Sequence, residues 1–333
     1  MLRASDVRAG AAHCGFDLMG LAPAEPLDPA PLRHWLKSGY CAGLSSMRLH
    51  LDERTNPAAM LPGAKTVVVL GIPYDKGPSG GIARYARGRD YHYTHRDRMR
   101  ALRQCLCAIE PGLRTYACVD AGVAMEKAWA ERAGLGFIGK NGLLVTRTHG
   151  SYLTLSLMIL DAAVDAYDEP HPRLCGDCTK CLDACPTGAF PSPGVLDARR
   201  CLAYHTVENR GRVPLKLRDK FGACVFGCDV CQEACPYSQG DLPPGDIRQR
   251  ARALGQLAAA EIAGLSRERF AELASATAMR RIGYDGLRRN ACFSLGATRP
   301  PDAAPLLAHL AEDSCTWVRE AAAWALGQLG GRT

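Results

Sequence analysis

Long apolar runs are missing from this 333-residue chain. Thr66 to Ile72 and Tyr152 to Leu160 have strand or core length, well short of the roughly 20 residues of a membrane span, so no membrane association is expected. The opening Met1-Leu2-Arg3-Ala4-Ser5-Asp6 lacks a hydrophobic signal region, and a cytoplasmic location is expected. A nucleotide-binding loop is lacking too. Gly134 to Gly142 is rich in glycine, but Lys140 is followed by Asn141 and a strand follows the glycines, so neither the P-loop nor the dinucleotide fingerprint is matched. These glycines are expected to let backbone approach a bulky cofactor. Charge of one sign is not in large excess: the net +7 permits an anionic partner such as RNA without demanding one. Hydrophobic residues at 47% with 23% charged describe an ordinary globular chain with room for two or three domains.

Cysteine, by contrast, is abundant. Sixteen of them in a chain without an export signal point to metal ligation in a reducing compartment, not to disulfides. Eight fall in Cys175-x2-Cys178-x2-Cys181-x3-Cys185-Pro186, Cys201, and Cys228-x2-Cys231-x3-Cys235-Pro236. In the bacterial ferredoxin pattern the cysteine before proline ligates the other cluster. On that pattern Cys175, Cys178, Cys181 and Cys235 hold one 4Fe-4S cluster, and Cys185, Cys201, Cys228 and Cys231 hold a second. Structural zinc and scattered core cysteines compete with a lone Cys-x2-Cys pair, but poorly with two Cys-Pro endings at this spacing. Phe226-Gly227 stand where a nearer first cysteine of the second run belongs, and Cys201 substitutes. Cys224, at x3 from Cys228, breaks the turn spacing and is read as a spare thiol.

Before the cysteines the pattern is mixed. Ala4 to Cys14 has helical spacing with Ser5 as a candidate N-cap, Phe16 to Leu21 a strand pattern, and Pro31 to Ser38 helical spacing again. Lys65 to Ile72 reads as a continuous apolar strand, which belongs in the middle of a sheet covered on both faces. After a Gly/Pro-rich loop, Arg84 to His92 is dense in arginine and tyrosine. That suits contact with an anionic or planar ligand, and equally a solvated helix start. Asp97 to Ile109 and Ala124 to Ala133 read as helices, Leu113 to Val119 as a strand. Asp120 follows that strand, where α/β folds bind ligands and where an aspartate also commonly caps a helix. Beyond a Pro/Gly linker at 240–245, the chain from Ile247 is helical. Leu287 to Gly296 and Val318 to Gly327 repeat Arg, Ala and Leu-Gly positions about 30 residues apart, a HEAT-like period. Arg280, Arg281, Arg288, Arg289 and Arg319 are there for phosphates.

Arg84-Tyr85-Ala86-Arg87-Gly88-Arg89-Asp90-Tyr91-His92, Val119-Asp120, Ala130 to Asn141, Gly150-Ser151-Tyr152, the cysteine pattern, Arg280-Arg281-Ile282-Gly283-Tyr284 and Arg289-Asn290 together resemble the epoxyqueuosine reductase family. The resemblance implies an α+β / α/β multidomain protein. Its parts would be a cobalamin-binding α/β domain at 1–165, a ferredoxin-like module with two 4Fe-4S clusters at 166–240, and HEAT-like helices at 241–333 that help hold tRNA. It implies reduction of epoxyqueuosine in tRNA to queuosine, with electrons from an external flavodoxin or ferredoxin type donor passing through the clusters to cobalamin (B12), in a monomer. Asp120 matches the proposed proton donor, a role that a carboxyl held protonated by burial could fill. Arg54, Asp90, Lys140 and Ser151, with Asp120, are the expected cobalamin contacts. The Asp-x-His-x-x-Gly motif of a histidine-ligated cobalamin stops at Asp90-x-His92-x-x-His95, which favours a cofactor without a histidine ligand.

The chain departs from the family pattern at Cys41 to Met47, at the residues after Asp120, and at Ser156-Leu157-Met158, all expected near the pocket. A related corrinoid reductase of the dehalogenase kind, acting on a small molecule, and a non-catalytic iron-sulfur electron carrier are the rival functions.

Overall fold

A computed structural model of the chain describes residues 2–74, 76–78, 80–120, 122–240 and 253–330. The expected linker at 240–245 falls almost wholly outside them. At the centre of the first half is a four-stranded sheet in the order β1 (Leu18–Pro23), β2 (Thr66–Pro73), β6 (Leu153–Leu160), β3 (Thr115–Cys118), with every neighbouring pair antiparallel. The run of β-branched residues is strand β2, buried along its full length between two partners, as a continuous apolar strand requires.

Alternation along the strands divides the core into two layers. Val68, Leu70 and Ile72 of β2, with Met158 and Leu160 of β6, face the helices Ala4–His13 and Tyr91–Ile109. Val67, Val69, Leu157 and Ile159 face Trp129, Ala130 and Ala133 around the helix Glu126–Arg132. Ser5 lies inside the first helix rather than capping it; the Asp6 carboxylate instead accepts from the Arg3 N–H at 3.3 Å. The helix expected from Asp97 begins a turn and a half earlier, at Tyr91, because Asp90 caps it by accepting the His92 N–H at 3.0 Å. A two-stranded ribbon, β4 (Phe137–Ile138) and β5 (Leu144–Val145), brackets the glycine-rich loop. There a Cβ on Gly134 would meet the Glu169 carbonyl at 2.6 Å, and one on Gly136 would strike the Val145 carbonyl. These two glycines are needed for close approach of the protein's own backbone rather than a cofactor.

The described residues from 253 onward contain helices and no strand. Gly283–Thr298 and Thr316–Gly330 lie against each other, with Gly296 so close that a Cβ would meet Trp324 at 2.5 Å and Ala325 at 2.7 Å. Their apolar face shares one core with Leu202, Phe221, Val225 and Phe226 from the cysteine-rich segment. Phe226 is therefore a core residue, bridged to Ile82, and Gly227 beside it has φ 70° with Ala83 against it. This packing explains why no cysteine stands there.

Candidate active site and cluster module

Asp120 sits two residues past β3 in a left-handed conformation, φ 42°. Three donors meet its carboxylate. Arg281 Nη1 approaches Oδ2 at 3.3 Å, His92 Nε2 approaches the same oxygen at 3.5 Å, and the Tyr91 hydroxyl donates as well. The opposite edge of the His92 ring meets Asp90 Oδ1 at 2.7 Å, so the imidazole bridges two carboxylates. Arg281 is held in turn by Glu208 at 2.6 Å.

The electrostatics reverse one expectation. The Asp120 side chain is 46% accessible, yet burial by the surrounding protein is the largest single influence on it. Burial pushes the carboxyl up, but His92, Arg281 and Tyr91 outweigh it and hold the carboxyl below the usual aspartate value. Asp120 is thus ionised at rest rather than kept protonated by burial. The proton resides on His92: burial opposes its charge, but the Asp120 and Asp90 carboxylates raise it to about 9.

Near Asp120, burial pushes Glu126 up to about 8, helped by the negative charge of Asp120. Its Oε1 is buried and has no hydrogen-bond partner. The neighbouring Lys127 donates to the Gly142 carbonyl at 2.7 Å and lies within electrostatic reach of Glu126, Asp120 and Cys231; desolvation lowers its pKa. Neither residue stands out in the sequence, since both look like the first turn of an ordinary amphipathic helix.

Of the other expected contacts, Asp90 reaches Asp120 through His92. Arg54 is buried and spends its guanidinium on three carbonyls, Leu49 at 3.1 Å, Val123 at 3.1 Å and Ser46 at 2.7 Å, which ties the divergent segment at 41–47 to the loop after Asp120. Lys140 and Ser151 lie apart from this group. Lys140 donates to the Gly176 carbonyl at 2.7 Å, and Ser151 meets Gln232 at 3.0 Å and Ser238 at 3.3 Å, so both stand where the sheet domain joins the cysteine-rich segment.

Cys175, Cys178, Cys181 and Cys235 line one cavity of about 180 Å³, walled by Phe137, Val145 and Tyr237. A second set of thiols, Cys228, Cys201 and Cys185, surrounds Cys231, with Cys181 of the first set also acting on it, and burial together with this crowding pushes its thiol up. Thiols crowded this way repel one another as thiolates unless a cation or a cationic cluster sits among them, so the donor set suits iron-sulfur chemistry. Cys224 is a further thiol against Cys228.

The arginines expected to serve phosphates are mostly used within the fold, contrary to that reading. Arg289 is buried and donates to the Asn209, Gly211 and His205 carbonyls at 2.7–2.9 Å. Arg288 pairs with Asp313 at 2.7 Å, and Arg319 is bound to the Asp313 and Ser314 carbonyls. Arg281 holds Asp120. Arg280 alone of the five is exposed without such a bond described.

Fold and site define an iron-sulfur protein in which a two-set cysteine module abuts a cleft bearing a carboxylate-imidazole pair. Residues 174–238 match the model of the 4Fe-4S double cluster binding domain, 54–121 that of epoxyqueuosine reductase QueG, DUF1730, and 277–333 that of HEAT repeats. The chain is 38% identical to the epoxyqueuosine reductase of Gloeobacter violaceus over 316 residues, covering 89% of this chain and 96% of the relative. It is 36% identical to that of Pseudomonas aeruginosa, covering 98% and 94%. It superposes with TM-score 0.91 and 31% identity on a crystal structure of epoxyqueuosine reductase with an epoxyqueuosine-modified tRNA-Tyr stem loop, covering 98% of this chain and 90% of that one. The epoxyqueuosine reductase from Streptococcus thermophilus gives TM-score 0.90 at 30% identity over the same shares. The chain belongs to the epoxyqueuosine reductase family. Among the described residues, no helix is long and apolar enough to cross a membrane.

Proposed function

We propose that this protein reduces epoxyqueuosine in tRNA to queuosine at the cleft around Asp120. The observation that carries the reading is the Asp120 carboxylate under three donors, one of them a charged imidazole, with Lys127 in electrostatic reach of both Asp120 and Cys231. Removing the epoxide oxygen as water consumes two electrons and two protons. The opening ring develops an alkoxide, which needs a positioned proton. His92 carries one at neutral pH, and Asp120 orients it and takes part in its delivery. Glu126, neutral up to about pH 8, is the second protonated group of the cleft.

The cleft suits a corrin. Lys127, with donors left beyond its bond to the Gly142 carbonyl, would offer a partner to corrin amides, Arg54 and Asp90 would shape the wall and edge of the site, and His92 is committed to two carboxylates and is not free to ligate a metal. Lys140 and Ser151 set the distance between this wall and the cluster module. Bound cobalamin supplies a strongly reducing, nucleophilic cobalt. Cys175, Cys178, Cys181 and Cys235 would hold one 4Fe-4S cluster and Cys185, Cys201, Cys228 and Cys231 the other, groups that would supply single-electron transfer from a flavodoxin or ferredoxin type donor. We assign the enzyme to the cytoplasm, as a monomer.

Deleting the gene should remove queuosine from tRNA and leave epoxyqueuosine in its place, read by nucleoside mass spectrometry. Complementation with wild type should restore queuosine, and Asp120→Asn should not. Unchanged nucleosides in the deletion strain would overturn the assignment.

A further inference from the structure

With most of the C-terminal arginines consumed inside the fold, the protein's positive surface must be sought elsewhere. Arg89, Tyr93, Arg96, Arg100 and Arg103 follow one another at spacings of four, three, four and three residues, which puts them on one face of the helix Tyr91–Ile109 and its N-terminal flank. The opposite face of that helix buries Met99, Leu102 and Leu106, so this one is turned outward. Arg96, Arg100 and Arg103 are exposed, and Tyr93 is half-buried. Asp97 is the only acidic residue of the helix, pairing with Arg89 at 3.4 Å and with Arg100 at 3.8 Å.

A charged helix face is ordinarily just solvated. Two features set this one apart. Tyr93 is flanked by guanidinium groups, Arg89 at 5.4 Å and Arg96 at 5.3 Å from its ring centroid, a preorganised cationic and planar platform. The stripe also starts at the reaction cleft: His92 lies next to Tyr93 in sequence, and the Asp90 N–H that opens the helix is bonded to the Ala276 carbonyl at 2.8 Å, a few residues from Arg280 and Arg281. From Arg89 to Arg103 the stripe runs about 20 Å at the helical rise, long enough to follow several phosphates of one RNA strand.

We infer that this outward face of the helix Tyr91–Ile109 is a docking track for the tRNA backbone, leading the anticodon stem to the cleft, with the Arg89–Tyr93–Arg96 platform nearest the modified nucleoside. The inference rests on the tRNA reading above. Phosphate contacts carry affinity and its salt dependence, and each one lost lowers the slope of log K against log salt by somewhat under one.

The test is fluorescence anisotropy of an end-labelled anticodon stem-loop RNA with reconstituted holoprotein across a potassium chloride series. The variant Arg96→Ala/Arg100→Ala/Arg103→Ala should bind at least tenfold more weakly near 0.1 M salt and lose about two from the slope. The matching Arg→Lys triple, equally perturbing to the helix surface, should keep the wild-type slope; absorption spectra report that both retain clusters and corrin. An alanine triple with wild-type affinity and slope overturns the track while leaving the enzymatic reading intact, because the nucleoside test decides that separately. Wild-type protein that binds no stem-loop at all overturns the track and undermines the tRNA reading with it.

Discussion

At neutral pH the imidazole between Asp90 and Asp120 holds a proton that either carboxylate alone would hold less firmly. This arrangement fixes how the site should titrate. A histidine raised to about 9 in the folded protein, against roughly 6.5 unfolded, contributes stability that is complete below 6.5 and lost as pH rises through 9. His92→Gln should therefore lower the thermal midpoint at pH 6 to 7, with the deficit shrinking above pH 9. Single-turnover reduction by wild type should be flat across neutral pH and fall as His92 deprotonates near 9. In His92→Gln the Asp120 carboxyl loses its strongest stabilising partner, so its pKa rises and the remaining activity should fall away at lower pH than in wild type. A wild-type basic limb unmoved by the substitution would remove His92 from proton delivery.

Between elements, side chains join what the sequence shows as two separate features. His95, where the glycine of the histidine-ligated cobalamin motif would be, and Ser156, in the divergent stretch of β6, meet in the core: Nδ1 to Ser156 Oγ at 2.7 Å and Nε2 to Thr154 Oγ1 at 2.9 Å. Burial pushes the ring down to about 3, so it stays neutral, and the contribution it makes above pH 6.5 is lost as pH falls toward 3. Ser156→Ala should strand a buried ring nitrogen at a cost of about 1–3 kcal/mol, seen as a lowered thermal midpoint at pH 7 with cluster content unchanged. An unshifted midpoint would mean that Nδ1 finds another partner, such as water, when the Ser156 hydroxyl is gone. The two residues show how far the sequence is legible. Strand β2, the long helices and the HEAT-like pair are plain because hydrophobic period and Leu-Gly spacing are local signals. The cysteine pattern is plain because cluster geometry constrains spacing. The His92–Asp120 pair, the fate of Arg289 and the His95–Ser156 contact are not, because each depends on residues brought together from 28 to 84 positions apart. The charge of Asp120 is not legible for the same reason: burial can be guessed from composition, but three converging donors cannot.

The whole molecule depends on one joint, where the sheet domain meets the segment carrying the second set of cysteines. Arg84 lies in it with its side chain 4% exposed, bonded to Asp229 at 3.2 Å and Glu233 at 2.6 Å, with its guanidinium over Tyr152 at 5.4 Å. Its backbone N–H also donates to Asp229 at 2.9 Å, and Ala83 N–H donates to the Phe226 carbonyl at 2.7 Å. Asp229 stands between Cys228 and Cys231, so whatever fixes Asp229 also fixes where those thiols point relative to Lys127 and the cleft. Burial and the Glu233 charge push the Asp229 carboxyl up, and Arg84 is the main influence holding it ionised. Arg84→Met, of similar length, leaves that carboxylate buried without its counter-charge, and breaking a buried pair from one side costs about 3–5 kcal/mol. The holoprotein should melt earlier and lose its brown cluster absorption on mild heating before the helical signal of the C-terminal region collapses. Arg84→Met/Asp229→Asn removes the stranded charge and should recover much of the loss. If the single variant behaved as wild type, the joint would be held by its backbone pairing at Ala83 and Phe226, and the ion pair would serve only to orient Asp229. If the double variant were no better than the single, the cost would come from lost packing against Tyr152 instead of from the buried charge.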